Sequence, residues 1–409
     1  MTVVITNQRG IALVVTLLVV ALLTITVIEF TYSVQIDQHM AHNALSGLQA
    51  SLLARSGINL GEAFLLHDQD PAVDAFTEDW CPDPGTDGHS CRIDETTGQV
   101  LLPQNMRLRV QIVDEGGKLN LNLVRFRTPQ EWTNWKKTRD GDPNTQPHPL
   151  IDWKTAFETL LAARGLEPTI ADQVLEYWDA VFQARFSPTS AGGVVTTPGQ
   201  TPALTTGLVP TPDAVTSSQL QQLEFASLDD AAVIPGLTQS ALRKLRPVLT
   251  ALPVSGAGAQ QRVNANTAPV SVLSAIVGDD EAVSNIMSQR SQTPLKQPDL
   301  VSLVGGLNKP GATSRNYAGA MLGVTSQFFE VSASGVVNPN PATGRGGISR
   351  SARMLVRRTR RATPQGTGAS TVPWTLTQLD WQKEGGAVLF QPQGDQGSGT
   401  DDQQVAPGY

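Results

Sequence analysis

The chain opens with a polar leader, MTVVITNQRG, followed at once by an unbroken apolar run, IALVVTLLVVALLTITVI, from Ile11 to Ile28. Arg9 precedes the run and Glu29 follows it. A charge-free stretch of this kind approaches the roughly 20 residues that a bilayer-spanning helix requires. Secretory signals have a shorter apolar core and a small-residue cleavage motif after it; none follows here, although a plain signal anchor remains an alternative. The arginine before the span favours a cytoplasmic amino terminus, with the bulk of the chain outside. Beyond Glu29 the helical period continues. Tyr32, Ile36, Met40, Ala44, Gly47, Ala50, Ala54, Gly57, Ile58, Gly61, Phe64 and Leu65 recur at spacings of three and four. This is one face of an amphipathic helix, and its small residues predict that a sheet or another helix approaches it closely.

The period then changes. Met106–Val113 alternates as MRLRVQIV, a half-buried strand with Met106, Leu108, Val110 and Ile112 on one face. Asp114–Val124 (DEGGKLNLNLV) predicts a turn and a second extended segment. Gln327–Val337 and Gly347–Arg360 also read as strands, and Trp374–Trp381 as one more. Between these runs the apolar spacing is helical, in Ile151–Arg164 and Thr169–Ala184 and again in the short segments after Phe225. The economical arrangement is an antiparallel sheet built from strands on both sides of a helical insertion. Thr267 is expected to cap a helix beginning near Pro269. Asp229-Asp230 and Asp279-Asp280-Glu281 stand where helix starts favour acids. Pro188–Ser218 is a Pro/Thr/Gly/Ser-rich surface loop, and Gln391–Tyr409 has the composition of a disordered tail.

The predicted fold class is therefore α+β: an N-terminal transmembrane helix and stem, a small antiparallel sheet, and a large inserted α-helical domain. The expected divisions are 1–10 (leader), 11–66 (span and stem), 67–125 (first part of the α+β domain), 126–323 (helical insertion, with the loop at 188–218), 324–364 (second part of the sheet) and 365–409 (C-terminal extension).

Chemistry adds few candidates. The net charge of -7 speaks against general binding to nucleic acid. Cys81 and Cys91, the only two cysteines, bracket a Pro/Gly/Asp-rich loop; a local disulfide is expected in an oxidising compartment, two free thiols being the alternative. The chain lacks H-E-x-x-H, G-x-S-x-G, G-x-x-x-x-G-K-[ST] and C-x-x-C, and a non-enzymatic role is expected. His39, His42, His67, His89 and His148 are scattered; His39 and His42 share a helical spacing on what reads as a solvated face of the stem. Asp68, Asp70 and Asp74 are a candidate cation cluster, with turn and cap roles as the simpler reading. The arginines of Arg357–Arg361 suit an anionic partner or an edge strand protected by charge. Between Asp229 and Glu330 the charges nearly balance, which disfavours a DNA-gripping helix-hairpin-helix reading of Val263–Pro269.

Arg9-Gly10 before an apolar helix resembles the site cut by prepilin peptidase. Lys118–Asn122 (K-L-N-L-N), Phe225–Pro253, Val263–Leu273 (V-N-A-N-T-A-P-V-S-V-L) and Val324–Phe329 (V-T-S-Q-F-F) resemble, in this order, the K-type minor pseudopilins of type II secretion (the general secretion pathway protein K family). The likeness runs over roughly residues 8–360, excluding the 188–218 loop. It implies cleavage between Gly10 and Ile11 with N-methylation of Ile11, a place in the inner membrane with the bulk in the periplasm, and a position at the tip of the pseudopilus, starting or capping its assembly for protein secretion. Implied partners are the I- and J-type minor pseudopilins, the major pseudopilin, prepilin peptidase and the inner-membrane secretion platform. Pilin-like subunits commonly carry glutamate at the fifth mature position, here Val15; its loss is typical of the K type and suits a subunit with none ahead of it. Alternative functions are a minor pilin of a type IV pilus or a membrane-anchored DNA-uptake module. The family's acidic calcium-binding run is missing after Trp178-Asp179, where AVFQARF follows, so no cofactor is predicted.

Overall fold

The computed structural model describes residues 8–68, 70, 72–85, 90–94, 100–126, 129–139, 150–186, 224–254, 262–307, 317–339, 347–360 and 374–382. Most of the leader, the 188–218 loop, the 391–409 tail, His89, His148 and Arg361 lie outside these residues.

A single helix, α1 (Gln8–His67), carries both the apolar run and the stem. At 1.5 Å per residue its 60 residues extend about 90 Å. Strands β1 (Ser90–Asp94) and β2 (Met106–Asp114) follow. The chain then passes through two 3-10 turns, Glu115–Gly117 and Leu121–Leu123, with Leu119–Asn120 extended between them. Here the expected second extended segment shrinks to two residues. The side chains of Asp114 and Asn120 accept from the backbone N–H of Gly116 and Asn122, and these local bonds draw the chain into turns.

Helices α2 (Pro129–Arg139), α3 (Leu150–Ala163), α4 (Ile170–Phe186), α5 (Gln239–Leu245), α6 (Val270–Val277), α7 (Asp280–Arg290), α8 (Gln297–Val304) and α9 (Tyr317–Met321) form the helical body. The chain returns to the sheet as β3 (Phe328–Val337), β4 (Ile348–Arg360) and β5 (Trp374–Gln382). The sheet is antiparallel, with spatial order β1-β2-β3-β4-β5. Pairing of Met106 with Val337 through Asp114 with Phe329 closes the helical insertion between two adjacent strands.

Two apolar cores result. One joins α1 to the sheet through Ala54, Ile58, Leu65, Val110, Ile112, Phe329, Val331 and Val356. The other fills the helical body with Trp153, Phe157, Trp178, Leu242, Leu273 and Ile276. Leu119, Leu121 and Leu123, beyond the end of β2, belong to the helical core.

Candidate assembly surface and the joints behind it

The stem divides the small-residue stripe into two parts. Gly47, Ala50, Ala54, Gly57, Ile58, Gly61 and Leu65 are buried on the sheet, whereas every residue from Ala12 to Leu45 is exposed. Small residues are needed where helix and sheet meet: a Cβ on Gly57 would stand 2.7 Å from that of Ala333 and 2.8 Å from Leu108 Cδ1. On the side turned from the sheet, Leu45, Leu48 and Leu52 remain 54%, 58% and 56% exposed. With Val34 and Ala41 they share one helical face that continues toward the apolar run. Isolated exposed leucines are unremarkable, but a continuous apolar face on a helix invites another helix. Val15 is 54% exposed within the run. Gly10 and Ile11 lie on α1 near its start, and His39 and His42 are exposed on the stem.

Behind this surface, buried polar groups tie the parts together. Asp114, the last residue of β2, is almost wholly buried. Its Oδ2 accepts from Thr267 Oγ1 at 2.5 Å, Ser326 Oγ at 2.7 Å and Asn264 Nδ2 at 3.0 Å, and its Oδ1 from Gly116 N at 2.8 Å. Thr267 therefore serves the sheet-to-body joint, and the expected cap is displaced: α6 starts after Pro269, which makes no side-chain cap bond. Close approach is again the reason for glycine, since a Cβ on Gly117 would meet Thr267 Oγ1 at 2.7 Å. The asparagines of Lys118–Asn122 and Val263–Asn266 act as staples. Asn120 and Asn122 donate to Leu252 O, and Asn122 also brackets Phe225. Asn264 donates to Asp74 O, and Asn266 both donates to and accepts from the backbone of Leu295.

At the foot of the stem, Arg358 is wholly buried between two carboxylates. Its Nη1 stands 2.8 Å from Asp68 Oδ2 and 3.3 Å from Leu65 O, and its Nη2 pairs with Asp74 Oδ1. The guanidinium lies 4.6 Å from the Phe329 ring centre and 4.3 Å from that of Trp374, whose Nε1 donates to Asp68 O. Burial lowers the Arg358 pKa to about 10, which leaves it cationic at neutral pH, while desolvation raises Asp68 against the pull of Arg358. Within the arginine cluster Arg358 is thus no free patch, and the strand is no edge: β4 runs between β3 and β5. Alternation along β4 sends Met354, Val356 and Arg358 inward together.

Among the described residues, the carboxylates of Asp68, Asp74 and Glu78 come within 4.8 Å of one another. Asp70 stands apart from this trio and accepts from Ala72 N as a turn residue. Glu78 accepts from Ala75 N and Trp80 Nε1, and burial lifts its pKa to about 8. The position at which the sequence resemblance implies calcium does not fit one. Asp179 accepts from Trp132 Nε1 at 2.6 Å and Arg139 Nη1 at 3.2 Å, and α4 continues past it without another carboxylate. Calcium takes six to eight oxygens.

Cys81 and Cys91 are joined by a disulfide, with Cα atoms 5.3 Å apart, inside the sheet core. The first residues of the loop they close lie along β1, with Arg92 N donating to Asp83 O and Gly85 N to Ser90 O. A cleft of about 660 Å³ separates the outer face of the sheet from the helical body. Its cations are matched within the cleft: Lys118 with Glu115, Arg246 with Asp229 and Arg353 with Glu330. Asp279 caps α7 through Ala282 N, and Asp230 accepts from Ser227 N, as the sequence suggested.

The architecture is that of a pilin-like α+β protein: one long N-terminal helix, apolar at its start, packed on an antiparallel sheet, with a helical insertion. It is the one helix among the described residues long and apolar enough to cross a membrane. No family model and no curated protein matches the chain. Among solved structures it is similar to a chain of the GspK-GspI-GspJ complex from the enterotoxigenic Escherichia coli type 2 secretion system. The identity is 16% and the TM-score 0.45, covering 87% of this chain and all of the other.

Proposed function

We propose that the chain is a K-type minor pseudopilin that sits at the tip of a type II secretion pseudopilus and starts or caps its assembly. On this reading, prepilin peptidase cuts between Gly10 and Ile11 and Ile11 is N-methylated. The apolar half of α1 holds the subunit in the inner membrane, and the sheet and helical body stand in the periplasm. The observation that carries the reading is the exposed apolar half of α1 with Val15 at the fifth mature position. A carboxylate there would cost about 2.5–3.5 kcal/mol in the bilayer unless paired, and a subunit with none ahead of it has no use for the pair. The bulk of the helical body supports the same place, because it would obstruct stacking along a filament. The motif order from Lys118 to Phe329 adds the K type, and with it I- and J-type minor pseudopilins as partners.

Co-expression of the full chain with a prepilin peptidase tests the first step by intact mass and N-terminal sequence. A mature protein beginning at methylated Ile11 is expected; an uncut Met1 removes the basis of the reading. Capture from detergent-solubilised membranes containing the I- and J-type subunits tests the second. Recovery of this chain with no pilin-like partner would count against a tip complex.

A further inference from the structure

The carboxylate trio at the foot of the stem offers the kind of oxygen ligand that a divalent cation takes. Here a side chain of the same chain supplies the charge. We infer that Arg358 is the built-in counter-cation of Asp68 and Asp74, the two aspartates of the trio, and that it makes the seating of the stem on its sheet independent of calcium. Five contacts converge on this role. The guanidinium is wholly buried, is paired with both aspartates, and reaches Leu65 O in the last turn of α1. It is also stacked between Phe329 and Trp374. A delocalised, weakly hydrated cation suits such an aromatic slot, where a hydrated metal ion does not. The negative ends of the α1 peptide dipoles favour a cation at the same place. Asp74 extends the arrangement toward the helical body, accepting from Ser326 N at 2.6 Å. The position at which the sequence resemblance implies calcium has lost its acids, and two of the three acids in the trio found among the described residues already pair with Arg358. The inference does not depend on the assembly reading, since it concerns how one chain holds its own stem.

Thermal unfolding of the full chain in detergent, in about 1 mM calcium and in chelator, tests it. Even a weak extracellular-type site, half-saturated near 0.1 mM, would raise the melting temperature by roughly 3 °C or more. No change beyond about 1 °C is expected, and a clear calcium-dependent rise would overturn the inference. Arg358→Met should lower the melting temperature by roughly 10 °C, because it strands buried acids. Asp68→Asn added to Arg358→Met should recover a third or more of that loss, since it removes one stranded charge. Should the single variant fail to fold, the double variant carries the test by folding. A double variant no better than the single one would show that the arginine acts by packing alone, and the inference would fall.

Discussion

Thr267 Oγ1 and Asp114 Oδ2 lie 2.5 Å apart although their residues belong to different halves of the molecule, one leading into α6 and the other ending β2. The bond is one of four that converge on a carboxylate with no ion-pair partner among them, and all four partners are donors. Two of the four, Gly116 N and Asn264 Nδ2, can only donate and favour the ionised acid, whereas the two hydroxyls can also accept. Burial still disfavours the charge and raises the Asp114 pKa, while the four hydrogen bonds act against that rise.

The joint should therefore tolerate shape-conserving changes poorly. Asp114→Asn puts an amide N–H₂ among donors, and at least one buried donor loses its acceptor. A loss of about 2–3 kcal/mol is expected in urea unfolding followed by tryptophan fluorescence. Thr267→Val removes one donor and leaves three, so a smaller loss of about 1 kcal/mol is expected. Equal losses would contradict the central position of the carboxylate.

The joint also shows what the sequence could reveal and what it could not. The apolar run of α1, the alternation of β2 and the helical spacing of α3 and α4 were legible because each element buries a continuous face. β1 was not: SCRID is short and sits between turn-rich stretches. α2 was missed because PQEWTNWKKTR is polar on average and is held by Trp132, Trp135 and Arg139 contacts. Thr267 was assigned a local cap, the commonest use of a threonine before a helix, and local reasoning has no access to Asp114. For Arg358 a signal did exist. It shares the parity of Met354 and Val356, the inward residues of β4, whereas Arg357 shares that of Arg353. The run of charge in RRTRR hides that alternation.

Gly57 supplies a second prediction, on the packing of stem and sheet. An added Cβ would lie under 3 Å from both Ala333 and Leu108, and these neighbours belong to a sheet that cannot yield without moving α1. Gly57→Ala should cost about 1–3 kcal/mol despite the better helix propensity of alanine. Ser56→Ala, on an exposed position of the same turn, should be neutral or slightly stabilising. Thermal melts of the two variants separate packing from propensity.

Glu78 gives the sheet core a pH dependence with a definite sign. Burial raises its folded pKa to about 8 from the ordinary 4.5. The folded state therefore holds this proton more tightly than the unfolded chain does. The associated stability is fully present below the unfolded value and is lost as pH rises through the folded one. Melting temperature should accordingly decline between about pH 5 and about pH 9, and Glu78→Gln should flatten the decline. A Gln variant with an unchanged slope would place the titration elsewhere.

The outward face of the stem offers a prediction that separates folding from assembly. Leu48 and Leu52 are more than half exposed, opposite the sheet-packed residues Ala50 and Ala54. Replacing either with glutamate puts a charge into solvent, so the change in folding free energy should stay within about 0.5 kcal/mol. Against an apolar partner helix the same charge would be desolvated without a counter-ion, and a loss of binding of about 2 kcal/mol or more, roughly thirtyfold, follows. Capture of pilin-like partners from membranes by Leu48→Glu and Leu52→Glu chains, beside their melting curves, measures both quantities. Capture reduced with melting unchanged is the expected result. Undiminished capture would move the contact to the other sides of the stem, where Tyr32, Ile36 and Met40 remain exposed below the sheet.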